Sequence, residues 1–275
     1  MLGIALALAS AAVWGAGDFS GGLAARKAGQ LQVLTLAALS GIVMLLAAAA
    51  LRGERFPSTE IAWWAGLAGL SGTVGLACLY RGLSLGNAAM VAPTAAVITA
   101  ALPVAFTLLT AGRPKLSQLA GFVVAMAGIW LVAAPSGSID VSRGGFRLAL
   151  LAGVGFGGFL ILIGQVPSGP IFVPAAVART MMLIAVVGLI WRKRQPLPPL
   201  TSNPAALVAG LFDAGGNVFY LFAREYTRLD VAAVLSSLYP VTTVLLAHVV
   251  SKEAVSRIQW LGMAVCLAAV ALITI

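Results

Sequence analysis

Charge is the scarcest property of this sequence: Asp, Glu, Lys and Arg together make up 9% of its 275 residues. A soluble domain carries about a quarter charged residues, because it must present a surface that water wets. Histidine occurs once, at His248, and cysteine twice, at Cys78 and Cys266, both inside apolar runs. That supply excludes a zinc helix, a thiolate metal cluster and a disulfide framework. A Gly-x-Ser-x-Gly elbow is absent, as is a Walker-type phosphate loop, and no loop is long enough to hold a nucleotide-binding domain. Hydrolase and ATP-driven pump readings therefore lack their residues, and any pumping must draw on an ion or substrate gradient.

What fills the chain instead is apolar: 61% of residues are hydrophobic and the mean hydropathy is +1.03. The apolar residues come in long continuous runs rather than in the ten-residue alternation of a membrane β-barrel, so the expected spanning elements are helices. A spanning helix needs about 20 apolar residues, which leaves room for ten spans joined by short loops. The net charge of +9 reads as loop cations that hold a topology rather than as a nucleic-acid footprint. The first apolar run has no basic segment before it and no convincing small-residue cleavage site after it. It reads as a retained span rather than a signal peptide.

Charges and prolines delimit the spans at about 2–24, 31–51, 61–80, 88–111, 116–134, 146–165, 171–191, 204–223, 231–250 and 258–275. Trp63, Trp64, Trp130, Trp191 and Trp260 fall near span ends, where indole prefers the headgroup layer. Trp14 lies mid-span.

The chain repeats itself. A shift of 141 residues lays Gly69-Leu70 on Gly210-Leu211, Gly75 on Gly216, and Leu119-Ala120-Gly121 on Trp260-Leu261-Gly262. A shift of 142 lays Trp14-Gly15 on Phe156-Gly157. Residues 1–134 and 146–275 thus form two five-span units joined by a loop over 135–145, which contains Asp140 and Arg143. Five is odd, so the second unit enters the membrane inverted. That is the plan of many secondary transporters, which bind cargo near the midplane between the halves.

Two acids lie inside spans, Asp18 and Asp213. A carboxylate at the centre of a spanning helix costs roughly 2.5–3.5 kcal/mol on insertion scales and usually marks an ion or substrate path. Ser10, Trp14 and Asp18 share one helix face, and so do Asp213, Asn217, Tyr220 and Arg224. Gly15, Gly17, Gly21 and Gly22 surround the first stripe and allow close helix approach. Asp18 and Asp213 are the candidates for proton coupling. Arg179, inside the seventh span, either pairs with an acid or snorkels to the headgroups. Trp14 is either packing mass or a stacking surface. His248 reads as an interfacial residue sooner than as a proton relay, and Glu253 as a loop anchor.

Pro93 and Pro103 in the fourth span, and Pro240 after Tyr239 in the ninth, are expected helix breaks that free carbonyls inside the membrane. Their occurrence in corresponding spans of the two halves points to a transport site there. Thr94, Ser236, Ser237 and Thr243 lie close by. With Tyr80 and Tyr239, the expected substrate-binding set is Trp14, Asp18, Tyr80, Thr94, Asp213, Asn217, Tyr220, Ser236 and Tyr239.

Trp14-Gly15-x-x-Asp18-Phe19 with Gly21-Gly22 resembles the first span of EamA-type transporters of the drug/metabolite transporter superfamily. Leu229, Ala232-Ala233, Leu238-Tyr239-Pro240, Lys252-Glu253 and Trp260-Leu261-Gly262 resemble the end of the second EamA repeat. Asn87-Ala88-Ala89, Pro93 and Leu119-Ala120-Gly121 resemble its partner. The resemblance covers nearly the whole chain. It departs near Gly112, where a glutamate is expected and absent. It implies an all-α integral membrane protein with ten helices in two inverted repeats and a central cavity lined mainly by spans one, three, four, six, eight and nine. It also implies cytoplasmic termini, whereas the loop Lys and Arg count, six against ten, favours an external N-terminus.

The expected function is secondary active transport, export of small metabolites such as amino acids or related amines, by alternating access and with proton coupling. The alternative is an uncoupled facilitator or channel for small solutes; a receptor or membrane enzyme is disfavoured for want of a catalytic set. The expected partners are a small-molecule substrate and the lipid bilayer, with no nucleic acid, metal or cofactor. The expected location is the plasma (inner) membrane, and the expected state a monomer.

Overall fold

The structure, a computed structural model, describes residues 1–84, 88–133 and 143–275, with the side chains of 80, 83, 84, 88–90 and 143 outside that description. Asn87, Asp140 and most of the expected inter-repeat loop therefore lie outside the described residues.

The described residues form eleven α-helices: α1 (Leu2–Ala25), α2 (Gln30–Arg52), α3 (Thr59–Ser84), α4 (Ala88–Thr110), α5 (Leu116–Ala133), α6 (Arg143–Ile163), α7 (Phe172–Arg192), α8 (Pro204–Tyr226), α9 (Leu229–Ser236), α10 (Tyr239–Ser251) and α11 (Arg257–Thr274). Among the described residues, ten helical segments are long and apolar enough to cross a membrane, α9 and α10 together making one of them. Loops stop the helices by ordinary local chemistry. Gly53 closes α2 in the left-handed region at φ 68°, where a side chain would clash. Ser256 and Gln259 form a reciprocal capping box at the start of α11, satisfying two of its free N–H groups. The sixth helix starts at Arg143 rather than at 146, because Arg143, Gly144 and Gly145 add a turn ahead of Phe146.

Packing follows the duplication. α1 lies against α8, and its counterpart α6 lies against α3. α2 crosses α8 as α7 crosses α3; α4 rests on α6 as α9 and α10 rest on α1; α5 and α11 pair with each other. Individual contacts repeat in register. A Cβ on Gly69 would run into the Ala178 carbonyl, and one on Gly210 into the Ala37 carbonyl; both positions of each pair differ by 141. A Cβ on Gly121 would come within 2.6 Å of Ile273, and one on Gly262 within 2.7 Å of Val132, again 141 apart. Without a strong hydrophobic drive between helices in lipid, such close backbone approach at small residues supplies the contact energy. Large exposed side chains such as Leu109, Val123 and Leu267 cover the outside, where lipid chains stand in for water.

The prolines behave differently in the two halves. The ninth span breaks at Ser237 and Leu238, and Pro240 sits in the first turn of α10. The fourth does not break: α4 runs through Pro93 and Pro103 without interruption, which corrects the expectation of helix breaks there. Its threonines support it, Thr99 Oγ1 donating to the Ala95 carbonyl at 2.8 Å and Thr107 Oγ1 to that of Val104 at 3.0 Å. The Thr99 carbonyl, which Pro103 cannot reach with an N–H, packs beside Gly157 of α6. Local side-chain bonds and close neighbours of this kind let a spanning helix tolerate proline.

Ten crossings place Met1 and Ile275 on the same face, called here the terminal face, and loops such as α1–α2 and α7–α8 on the opposite face.

Candidate functional site

The polar groups inside the membrane gather where α1 packs against α8 and α10, with Arg179 of α7 reaching across to α8. Trp14 starts the cluster. Gly216 has no side chain, so the indole fits flat against α8 at that turn, and Trp14 Nε1 donates to the Asp213 carbonyl at 3.2 Å. One turn earlier Ser10 Oγ donates to the Gly216 carbonyl at 2.8 Å. The indole stacks on Tyr220, with ring centroids 6.0 Å apart. The stripe expected on α1 is therefore real as a face, and most of it is spent on holding α8.

This alignment brings Asp18 and Asp213 together. Gly17 lets the α8 backbone at Asp213 approach closely, and the two carboxylates interact electrostatically. Asp213 pairs with Arg179, Oδ2 to Nη2 at 2.5 Å. Arg179 is 4% exposed, so it is an interior ion-pair partner and does not snorkel. Its other terminal nitrogen, Nη1, is buried with no hydrogen-bond partner among the described residues. Asp18 is accessible and forms no ion pair among the described residues. Seven residues separate it from the end of α1, which places it about 10 Å below the opposite face at 1.5 Å per residue.

α10 closes the cluster. Gly15 admits the Tyr239–Thr243 turn one helical turn before Asp18, and Thr243 Oγ1 donates to the Gly15 carbonyl at 3.2 Å.

Other expected site residues go elsewhere. Tyr220 is fully buried and donates its hydroxyl to the Leu160 carbonyl at 2.9 Å. Arg224 donates to the Gly164 carbonyl, so this end of the α8 stripe ties down α6. Asn217, one turn past Asp213, is almost buried. Ser236 donates to the Ala7 carbonyl at 3.2 Å. Thr94 is buried on α4, which packs on α6, α5 and α9 rather than joining the Asp18 cluster. Tyr80 belongs to α3, its side chain outside the description. His248 meets the Glu253 carbonyl at 2.9 Å and Trp260 edge-on, while Glu253 pairs with Arg26. No group of three His, Cys, Asp or Glu among the described residues is placed to hold a metal.

The cluster is not duplicated. At the repeat shift Asp213 corresponds to Gly72, Arg179 to Ala38, Tyr239 to Ile98 and, at 142, Asp18 to Leu160. Of two pseudo-symmetric interfaces, only one carries the charges.

Two further polar contacts escaped the sequence reading. Asp230, fully buried, accepts from Thr107 Oγ1 at 2.9 Å and from Arg228 Nη2 at 2.9 Å. Arg228 also donates to the Gly112 carbonyl at 2.9 Å, and the Asp230 bond pushes the guanidinium above its ordinary value. The only hint was the Arg-x-Asp spacing beside a span. Glu54 accepts from the N–H groups of Ile171, Phe172 and Val173, at 2.9, 3.0 and 2.8 Å. It caps the free N-terminus of α7 from 117 residues away. Both contacts lie on the terminal face and join one repeat to the other. All of α9 is buried there, whereas α10 buries only Pro240. The terminal face is the sealed one.

Comparison with known proteins agrees with this architecture. The chain is 31% identical over 157 residues to the uncharacterized transporter YwfM of Bacillus subtilis (strain 168), across 55% of this chain and 52% of that protein, so the match spans about half of the relative's length. A solved structure titled only as a crystal structure of a protein superposes with a TM-score of 0.74 at 20% identity, covering 97% of this chain and 98% of that one; it speaks for the fold alone. The sequence model of the EamA-like transporter family matches residues 1–134 and 143–275. Ten apolar helices in two inverted halves, with an unpaired acid facing an ion pair between them, thus have a family to sit in: the chain belongs to the EamA-like transporter family and is a multi-pass membrane transporter.

Proposed function

We propose that this transporter is a secondary active exporter of small metabolites, amino acids or related amines, working in the plasma (inner) membrane by alternating access. Asp18 is the coupling residue. A carboxylate in the membrane interior needs a counter-charge, and the one arginine nearby is already held by Asp213. A proton or a cargo ammonium fills that role, and exchange of one for the other links the two fluxes. Trp14 and Tyr239 flank the acid and set the shape of the cargo's apolar part. The halves then rock about this site, as inverted-repeat carriers do. The observation that carries the reading is the accessible, unpaired Asp18 carboxylate facing the Arg179–Asp213 pair.

Proteoliposome flux with candidate amino acids and amines tests it. An imposed pH gradient should drive uphill accumulation by the wild type, and Asp18→Asn should abolish that while Asp18→Glu keeps part of it. Downhill flux alone, indifferent to the pH gradient, would identify an uncoupled facilitator. Normal coupled transport by Asp18→Asn would remove Asp18 from the mechanism.

A further inference from the structure

The charges in the interior of the α1–α8 cluster do not cancel. Asp18 and Asp213 bring two negative charges and Arg179 one positive, so one negative charge is left over. The helices packed around Asp18 add no other charge at its depth among the described residues. α10 offers the hydroxyls of Tyr239, Thr242 and Thr243. Arg52 of α2, Arg192 of α7, Arg224 of α8 and His248 of α10 stand in the last turns of their helices. Asp230, in the first turn of α9, is neutralised by Arg228.

The one interior cation is out of a cargo's reach. Arg179 comes to Asp213 past α2, its Cδ 3.5 Å from where a Cβ on Gly41 would stand, whereas α1 meets the Asp213 backbone through Gly17. Asp213 thus stands between the guanidinium and Asp18. The arginine side chain is buried and that of Asp213 half exposed. The uncommitted nitrogen of Arg179, Nη1, is buried as well. What the cluster presents to an incoming molecule is therefore acceptors: the exposed Asp18 carboxylate and the exposed part of Asp213.

An ammonium completes this set. Its N–H groups make charge-assisted bonds to carboxylate oxygens, and its charge brings the cluster to zero, the cheapest condition for crossing a medium of low dielectric. An α-amino acid does neither cleanly. Its carboxylate hangs on the carbon that bears the ammonium, so it cannot be held away from the two aspartates, and like charges placed side by side are strongly disfavoured. Being neutral overall, it also leaves the surplus negative charge in place. Building on the coupling role of Asp18 given above, we propose that the cargo is a protonated amine with one positive charge and no carboxylate, exchanged one for one with a proton. The exchange then moves no net charge. Of the two cargo classes named for this site, the charge balance selects the amines.

Matched pairs of compounds decide the matter with the unaltered, full-length protein in proteoliposomes, uptake by protein-free liposomes being subtracted. Tyramine and tyrosine, phenethylamine and phenylalanine, and isoamylamine and leucine share a side chain and an ammonium and differ by the carboxylate. Under an imposed pH gradient the amine of a transported pair should accumulate at least about ten-fold more than its amino acid, the smallest effect expected of a like-charge clash. Phenylalanine methyl ester, which keeps the size and loses the negative charge, should recover most of the phenethylamine uptake. An amino acid that accumulates as well as its amine overturns the proposal by showing that a carboxylate reaches Arg179, while the exporter reading stands. A methyl ester as poor as phenylalanine overturns it too, because size and not charge then sets the preference. Uptake of no compound of any pair removes the exporter reading and this inference with it. The charge balance has its own readout: at equal pH on both sides, a potassium diffusion potential should drive no amine accumulation. Accumulation driven by that potential alone overturns the one-for-one exchange.

Discussion

Arg179 and Asp213 meet at 2.5 Å across the α7–α8 contact, and they meet unequally: the arginine side chain is 3% exposed and the aspartate 44%. Removing one partner of a buried pair costs several kcal/mol, chiefly because the other charge is left without compensation. Asp213→Asn strands the buried guanidinium, whereas Arg179→Met leaves a carboxylate that is only half buried. We therefore expect Asp213→Asn to destabilise by about 3 kcal/mol and Arg179→Met by clearly less. Thermal unfolding in detergent measures both, and the opposite order would mean that the pair is not the buried charge store described here.

The mirrored glycines make a prediction about packing. Gly69→Leu and Gly210→Leu should each split a close crossing, α3 from α7 and α8 from α2, because the first added carbon already meets a backbone carbonyl. Both variants should lose most folded protein on size-exclusion chromatography. Gly188→Ala is the control: nothing lies within 4 Å of its added carbon, and replacing a helical Gly by Ala stabilises by roughly 0.5–1 kcal/mol. If Gly210→Leu folds as well as Gly188→Ala, the register of the two halves is not as described.

Glu54 caps a helix that is remote in sequence. Glu54→Ala frees three N–H groups at the start of α7 and should cost about 1–2 kcal/mol, the usual range for a lost cap. A lower Tm that Glu54→Gln partly restores would match a hydrogen-bonding role. An unchanged Tm for Glu54→Ala would show that water replaces the carboxylate without penalty.

Asp230 holds the terminal face shut through Arg228 and Thr107. Val234, one turn further on, is fully buried, so a Val234→Cys thiol should resist a water-soluble maleimide. In the Asp230→Ala background that thiol should become reactive. If it stays inert, the seal rests on the apolar packing of α9 alone.

Much of the architecture was readable because the bilayer imposes it. Apolar runs of spanning length must be helices, so the ten spans were placed to within a few residues. The 141-residue register showed the duplication before any contact was known. Asp18 and Asp213 stood out for the same reason, since acids inside apolar runs are costly and therefore informative. Asp230 did not stand out, because in sequence it sits beside Arg228 at a span edge and looks like a solvated pair. Only the packing of α9 against α4 buries it. The fourth-span prolines misled for a related reason: a proline marks a missing N–H, but neighbouring threonines and α6 decide whether the helix breaks.

Composition and periodicity alone determined that this chain lives in a membrane, that it crosses ten times and that its halves are inverted copies. Hydropathy is a one-dimensional property, and the length of a bilayer crossing reads it directly. Which acid takes Arg179, which acid stays open, and which face is sealed were left to the tertiary structure. Helix rotation and crossing in lipid are governed by small-residue contacts and interhelical hydrogen bonds, such as Gly216 under Trp14 and Gly15 under α10. Those contacts join residues some 200 positions apart, where no local pattern in the chain can register them.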